Sequence, residues 1–217
     1  MSEKSSGIFV NMDYIYVKPE KCKFNTKSTE YLGYQLSITG LTMSLNKGWT
    51  ILDWPEPWKV KNVQSFLSFM NFYCHFIYNY SDIVTPLTYL TCKCVPWTFT
   101  HSYCTTFQQL KEAFTSAPIL IHWVPNTPMI VGTNAFNYAI VGILLIYCTD
   151  KEIWPVTYYS QTLLAPELNY DTHDKELLTI HESFQSWCHY LEGSAELVNI
   201  VTDHKNLKYF STTKLLT

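Results

Sequence analysis

Three oxygen-bearing side chains sit where this sequence could do chemistry. Asn134 follows an apolar alternating run, Glu176 lies near the start of a long helical pattern, and Asp203 follows a second apolar run. Carboxylate and amide oxygens are the ligands that hard divalent cations such as Mg²⁺ take. Two-metal phosphodiester hydrolysis holds its ions roughly 3.5–4 Å apart and needs several charged oxygens to do so. Two acids and one neutral amide make an incomplete version of such a site. Glu176 and Asp203 are the candidate metal ligands, and Asn134, Glu176 and Asp203 together the candidate catalytic positions.

These residues can act together only if the chain folds them together. Residues 129–135 alternate in the manner of a strand, and apolar segments 138–148 and 154–160 read as two more, separated by the charged break Thr149–Glu152. Leu177, Ile180, Phe184, Trp187 and Leu191 then recur at steps of three or four, which predicts one long helix that stops near Gly193. Residues 197–202 read as a fourth strand running into Asp203, with a short amphipathic turn at 206–210. If strands one and four are neighbours, their ends and the start of the helix meet at one edge.

Two stretches carry a resemblance. Asn169-Tyr-Asp-Thr-His-Asp-Lys-Glu176-Leu-Leu178 and Thr202-Asp-His-Lys-Asn-Leu207 resemble the RNase H region of gypsy-type LTR-retrotransposon reverse transcriptases. The resemblance extends upstream through residues 17–24 and 31–41, Val63–Phe69, Asn71–Tyr73 and Phe107–Pro118, and so spans about residues 14–215. It implies Mg²⁺-dependent cutting of the RNA strand of an RNA–DNA hybrid, with the rest of a Pol polyprotein as a further partner. Glu176 and Asp203 match the second and third catalytic carboxylates of that family. The first belongs to a Thr-Asp-Ala motif, which reads Thr133-Asn134-Ala135 here, and a fourth lies farther downstream than Thr217. The polymerase Asp-Asp pair belongs upstream of the matching region, so no polymerase activity is expected of these residues alone. The resemblance also places Arg where Cys74, His75 and Cys188 stand. Together with Asn134 this fits a gene copy altered by cytosine deamination, which a count of the corresponding codons would test.

The fold class implied is α+β: a palm-end and thumb remnant (1–57), a helical connection (58–125) and an RNase H-like mixed sheet with flanking helices (126–217), incomplete at its C-terminal side. Strands one to three should be antiparallel, with the fourth parallel to the first. Missing a fifth strand, residues 197–201 would be an exposed apolar edge. The ancestral activity is a nuclease, and the lost charge at Asn134 predicts impairment. The alternatives are a binding module for nucleic acid or protein, and a relic without selected function.

Composition agrees with a packed intracellular protein, cytoplasmic or nuclear. The 217 residues are 47% hydrophobic and 16% aromatic, enough for a core. The longest apolar run, about 11 residues, is too short for a bilayer, and the N-terminus lacks a signal-peptide core. Seven cysteines without paired spacing suit reduced thiols, with Cys92-Lys-Cys94 a plain loop rather than a metal clip. Net charge is −3 and all 15 basic residues are Lys, so bidentate Arg–phosphate contacts are excluded. Lys18, Lys21, Lys23 and Lys27 form the one basic cluster. His173, His181 and His189 recur every eight residues, which does not suit a helical metal pair, so they read as capping and packing residues. Trp123 is assigned no role. In the N-terminal half, Val63, Phe66, Leu67, Met70, Tyr73, Phe76 and Ile77 predict a core-facing helix that runs to about residue 79. Asp82–Leu90 predicts a short helix with Pro86 early in it, and Tyr103, Phe107, Leu110 and Phe114 predict another.

Overall fold

The computed structural model describes residue 22 and residues 24–148 and 152–203. Its first half opens with an antiparallel sheet of β1 (Ser28–Tyr31), β2 (Tyr34–Ser37) and β3 (Gly40–Met43). Four helices follow: α1 (Leu45–Leu52), α2 (Val60–Phe72), α3 (Tyr80–Leu90) and α4 (His101–Thr115). α1 stops ahead of Pro55 and Pro57, which cannot continue it. The apolar faces of α2, α3 and α4 close on one another around Val63, Phe66, Met70, Leu87, Leu90, Phe107, Leu110 and Phe114. Ile51 of α1 belongs to the same core, and the Phe66 and Phe107 rings lie 4.5 Å apart at their centroids. Each fully buried aliphatic or aromatic side chain there contributes about 1.5–3 kcal/mol.

Two predicted helix positions differ from the structure. α2 does not run to residue 79: it ends at Phe72, a 3-10 turn covers Cys74–Phe76, and Asn79 takes the left-handed conformation (φ 56°) that starts α3 in a new direction. Tyr73, Phe76 and Ile77 still face the core, at 2–3% exposure. A 3-10 turn repeats every three residues and so imitates the helical spacing. Pro86 lies in the body of α3 rather than in its first turns.

Lys111 is an unexpected member of the first core. Its residue is 8% exposed, and its Nζ donates to Leu52 O (2.9 Å) and Trp54 O (2.7 Å) while lying 4.9 Å from the Phe107 ring centre. Burial lowers its pKa. The ammonium thereby holds the carbonyls at the end of α1 against α4, a use of cation donors at helix C-termini.

The second half is a four-stranded sheet of order β6-β5-β4-β7, built from β4 (Met129–Ala135), β5 (Ala139–Tyr147), β6 (Ile153–Thr162) and β7 (Asn199–Thr202). β4, β5 and β6 are antiparallel, and β7 is parallel to β4, as the sequence predicts. Parallel neighbours need a crossover. It is supplied by α5 (Thr172–Ser186) and α6 (Cys188–Leu191). The predicted single helix is thus broken at Trp187, whose backbone (φ −106°, ψ 18°) leaves the helical region. Among the described residues β7 is an edge strand, with Ile200 and Val201 at 44% and 56% exposure, and Leu197 two residues ahead of it at 88%.

The buried face of α5 coincides with the predicted one at Trp187, with Phe184 packed beside it, and differs from it toward the start of the helix. Glu176, Thr179, Ser183 and then Trp187 point inward, whereas Leu177 is exposed. The reason is a close approach between helix and sheet. A Cβ at Gly142 would collide with Ser183 Oγ and meet Trp187 at 3.0 Å. The small Ser183 is the helix residue that faces Gly142 most closely, with the Trp187 ring beside it.

The halves are joined by polar ties. Ser81 N and Oγ both donate to Ser160 Oγ (3.1 and 3.0 Å), and His122 Nε2 donates to Ser37 O (2.7 Å). Leu41 and Leu120 exchange backbone bonds of 2.6 and 2.9 Å. Gly40 (φ 146°) permits this contact, since a Cβ there would strike Leu120 O.

Gly142→Ala should destabilise the chain by about 1–3 kcal/mol through overpacking. Ser183→Ala should be neutral or stabilising, because the Ser183 hydroxyl is fully buried without a hydrogen-bond partner. Thermal denaturation of both checks this, and a Gly142→Ala protein melting with the wild type would show that α5 lies farther from β5.

Candidate metal site at the ends of β4 and β7

Two parallel neighbours each end in Thr followed by a polar residue: Thr133-Asn134 on β4 and Thr202-Asp203 on β7. Thr133 and Thr202 are partners in the register, so Asn134 and Asp203 come next, side by side in sequence position, where the strands part. α5 brings in the third residue. Glu176 lies two residues beyond Asp174 of its first turn and faces inward at 1% exposure. Its Oε1 accepts from Ala135 N (2.8 Å) and its Oε2 from Thr202 Oγ1 (2.9 Å). The three sequence-predicted positions therefore converge. Glu176 is bonded to the residue after Asn134 and to the residue before Asp203.

The electrostatics follow from that placement. Burial raises the Glu176 pKa. The bonds from Ala135 and Thr202 pull it back, and the side chain of Asp203 raises it again through its charge and a shared hydrogen bond. Two carboxyl groups this close disfavour double ionisation unless a cation lies between them. Asn134 and Asp203 line a cavity of about 300 Å³, together with Thr133, Thr202, Val141 and Tyr78. Glu176 is buried beside Asp203 and does not itself line the cavity.

The donor set fits one hard cation. Every ligand atom on offer is oxygen, and each carboxylate oxygen of Glu176 has a second lone-pair direction beyond the bond it accepts. The combined charge of Glu176 and Asp203 when ionised is −2, since the Asn134 amide adds none.

Sequence reasoning missed the partners of Glu176, namely Ala135 N–H and Thr202, and also Tyr78 in the cavity wall. The repeated Thr-Asn and Thr-Asp dipeptides were the available signal for the first. Nothing in the spacing points to Tyr78, which arrives from the helical half. The other singled-out residues do not join the site. His173 and His181 lie beside Asp174 (3.5 Å) and Glu182 (3.3 Å) on the exposed surface, and His189 packs on Tyr190. Trp123 packs on Tyr190 as well. Cys92 and Cys94 are exposed free thiols. Lys18, Lys21, Lys23 and the turn at 206–210 lie outside the described residues. Asp171, His173 and Asp174 place ligand atoms within 4.8 Å of one another. All three are exposed at the N-terminal end of α5, where the helix dipole disfavours a cation.

A mixed sheet with an antiparallel β4-β5-β6 meander, a helical crossover to a parallel neighbour of β4, and polar residues at the two strand ends defines an RNase H-like domain. Residues 97–200 match the family described as the RNase H-like domain found in reverse transcriptase, and the chain carries a domain of that family. Its relatives include the Transposon Tf2-3 and Tf2-4 polyproteins of Schizosaccharomyces pombe, each 32% identical over 193 residues, which are 89% of this chain and 14% of the relative. The chain thus spans about one seventh of the length of these relatives and corresponds to a retrotransposon polyprotein fragment. Among solved structures, the foamy viral protease-reverse transcriptase dRH in complex with double-stranded DNA superposes with a TM-score of 0.73 at 22% identity, over 93% of this chain and 35% of that one. The foamy viral protease-reverse transcriptase in complex with an RNA/DNA hybrid gives 0.71 at 22% identity, over 94% and 28%. At that identity the likeness shows the fold.

A carboxyl whose pKa is higher in the folded than in the unfolded chain stabilises the fold fully below its unfolded pKa, near the ordinary 4.5. That contribution is lost as pH rises through the folded value. The melting temperature of the metal-free protein should therefore fall more between pH 5 and pH 8 for wild type than for Glu176→Gln. Mg²⁺ at pH 8 should raise it in wild type and less in the variant. Equal slopes in the two proteins would show that Glu176 is not the responsible group.

Proposed function

We propose that this chain is part of a reverse transcriptase whose RNase H-like domain descends from a Mg²⁺-dependent endonuclease acting on RNA–DNA hybrids, and that its cleavage is impaired. The observation that carries this reading is the meeting of Glu176 and Asp203 at the end of the Thr133-Asn134-Ala135 strand. Glu176 and Asp203 would hold the cation, with the Asn134 amide oxygen as a neutral third donor. When bound, Mg²⁺ supplies charge neutralisation and water activation at a phosphodiester. Glu176 is preorganised by Ala135 and Thr202, and the exposed Asp203 is the ligand that solvent and substrate reach first. Asn134 stands where a third negative charge would be shared between two ions. Without that charge the site suits one ion better than two. Groups that act as a unit lose function together rather than in proportion.

The division into a palm-end and thumb part to residue 57, a connection to residue 125 and the RNase H-like part beyond it belongs to the same proposal. So do a Pol polyprotein as the setting and an intracellular location. Among the described residues no helix is long and apolar enough to cross a membrane. A second reading, a module that binds nucleic acid without cutting it, is favoured by the uncharged Asn134 itself.

A hybrid-cleavage assay in Mg²⁺ separates the two. Wild type should cut slowly or not at all, Asn134→Asp should raise the rate by about 10²-fold or more, and Glu176→Gln should abolish whatever remains. Efficient wild-type cleavage that Glu176→Gln abolishes would overturn the impairment. Salt-sensitive hybrid binding with no cleavage by either wild type or Asn134→Asp would favour the binding module.

A further inference from the structure

The cavity at the strand ends has one wall that does not come from the sheet. Tyr78, between the 3-10 turn Cys74–Phe76 and α3, lines it together with Asn134 and Asp203. Its neighbours Phe76, Ile77 and Tyr80 are buried at 2%, 2% and 5% exposure, yet Tyr78 is 47% exposed. It is the one aromatic of this corner that the core does not use. Its position is nonetheless fixed. The ring meets Tyr158 edge to face, at 6.0 Å between centroids and 72° between planes. The next residue, Asn79, is left-handed and donates to Asp82 Oδ2 (3.3 Å). Beyond it, Ser81 is bonded to Ser160 of β6. A half-exposed ring held from one side offers its free surface to a ligand.

We propose that Tyr78 is a nucleic-acid contact of this site, the ring on which a nucleobase of the strand entering the cavity stacks. The inference rests on the reading of the site given above and names the surface that reading lacks. A wall of carboxylates alone repels a polyanion. Stacking on an aromatic ring is sequence-tolerant and independent of phosphate charge. This matters in a chain with net charge −3 and no Arg, where phosphate pairing can supply little of the grip. The helical half therefore contributes directly to the site of the sheet half.

The test uses the full chain with RNA–DNA hybrids carrying 2-aminopurine at successive positions, in Ca²⁺ to suppress cleavage. Wild type should bind with an emission change confined to one or two positions. Tyr78→Leu should bind about ten-fold more weakly, within the range of one lost base–aromatic stack, and should lose that change. The salt dependence of its binding should remain that of wild type, because no phosphate contact has altered, and it should still unfold in one cooperative transition, its melting temperature lowered only by the lost edge-to-face contact with Tyr158. Tyr78→Phe and Tyr78→Trp should retain both affinity and emission change. Tyr78→Leu binding with wild-type affinity and an unchanged emission pattern would overturn this inference while leaving the proposed function standing. A wild-type protein that binds no hybrid at any salt concentration would overturn both.

Discussion

The buried carboxylate of Glu176 is the interaction on which the second half of the molecule depends. It accepts from the backbone of β4 at Ala135 and from the side chain of β7 at Thr202, and so joins three elements far apart in sequence. Burying a carboxyl group is unfavourable unless its oxygens are satisfied. Here both are, and the group can also take up a proton to relieve the remaining penalty, which is the sense of its raised pKa. The tie matters most for β7. That strand is four residues long and its outer residues are exposed. Its hold on the sheet is a short parallel ladder with β4, and parallel pairing is the weaker kind per residue.

The remaining architecture brings that tie into place. β4 and β5 are buried on both faces, with Val131, Ile140, Val141, Leu144 and Ile146 at 0–2% exposure. One face receives α5 at close range over Gly142, and the helical half reaches the sheet at β6 through Ser81, His75 and Tyr158. Because α5 approaches so closely, its inward stripe is Glu176, Thr179, Ser183 and Trp187. The acid stands on the same face as the packing residues, so helix packing and site geometry are one constraint. Moving the helix outward to admit larger side chains would pull Glu176 off both of its donors.

The chemistry of the site is set by charge count. In the proposed reading a cation held by Glu176 and Asp203 would relieve their mutual repulsion, and the neutral Asn134 would leave the site a charge short of what a pair of ions would share. The exposed Asp203 and the buried Glu176 also differ in kind: one meets solvent, while the other is a fixed backstop whose orientation the fold determines. Tyr78 adds an aromatic wall from another part of the chain, so the site belongs to the joined halves rather than to the sheet alone.

The hydrophobic pattern by itself determined the order and kind of the elements. Alternation in 129–135, the apolar runs at 138–148 and 154–160, and the three-to-four spacing of α2, α4 and α5 are local signals, because strand and helix periods are written in neighbouring residues. The convergence of Asn134, Glu176 and Asp203 was legible for the same reason, once motif resemblance paired the strands. What the pattern could not decide were features that depend on distance between elements. The inward face of α5 was legible at Phe184 and Trp187 but not at its start, because hydrophobicity points to Leu177 whereas the close approach at Gly142 sets Ser183, and with it Glu176 and Thr179, against the sheet. The end of α2 was misplaced, since a 3-10 turn keeps apolar residues in step. The acceptors and donors around Glu176, the burial of Lys111 against the carbonyls of α1, and the arrival of Tyr78 at the cavity required tertiary structure. The bonds to Glu176 and from Lys111 join residues 26 to 59 positions apart, and Tyr78 meets a cavity wall formed by still more distant residues such as Asp203; no local spacing encodes such a meeting.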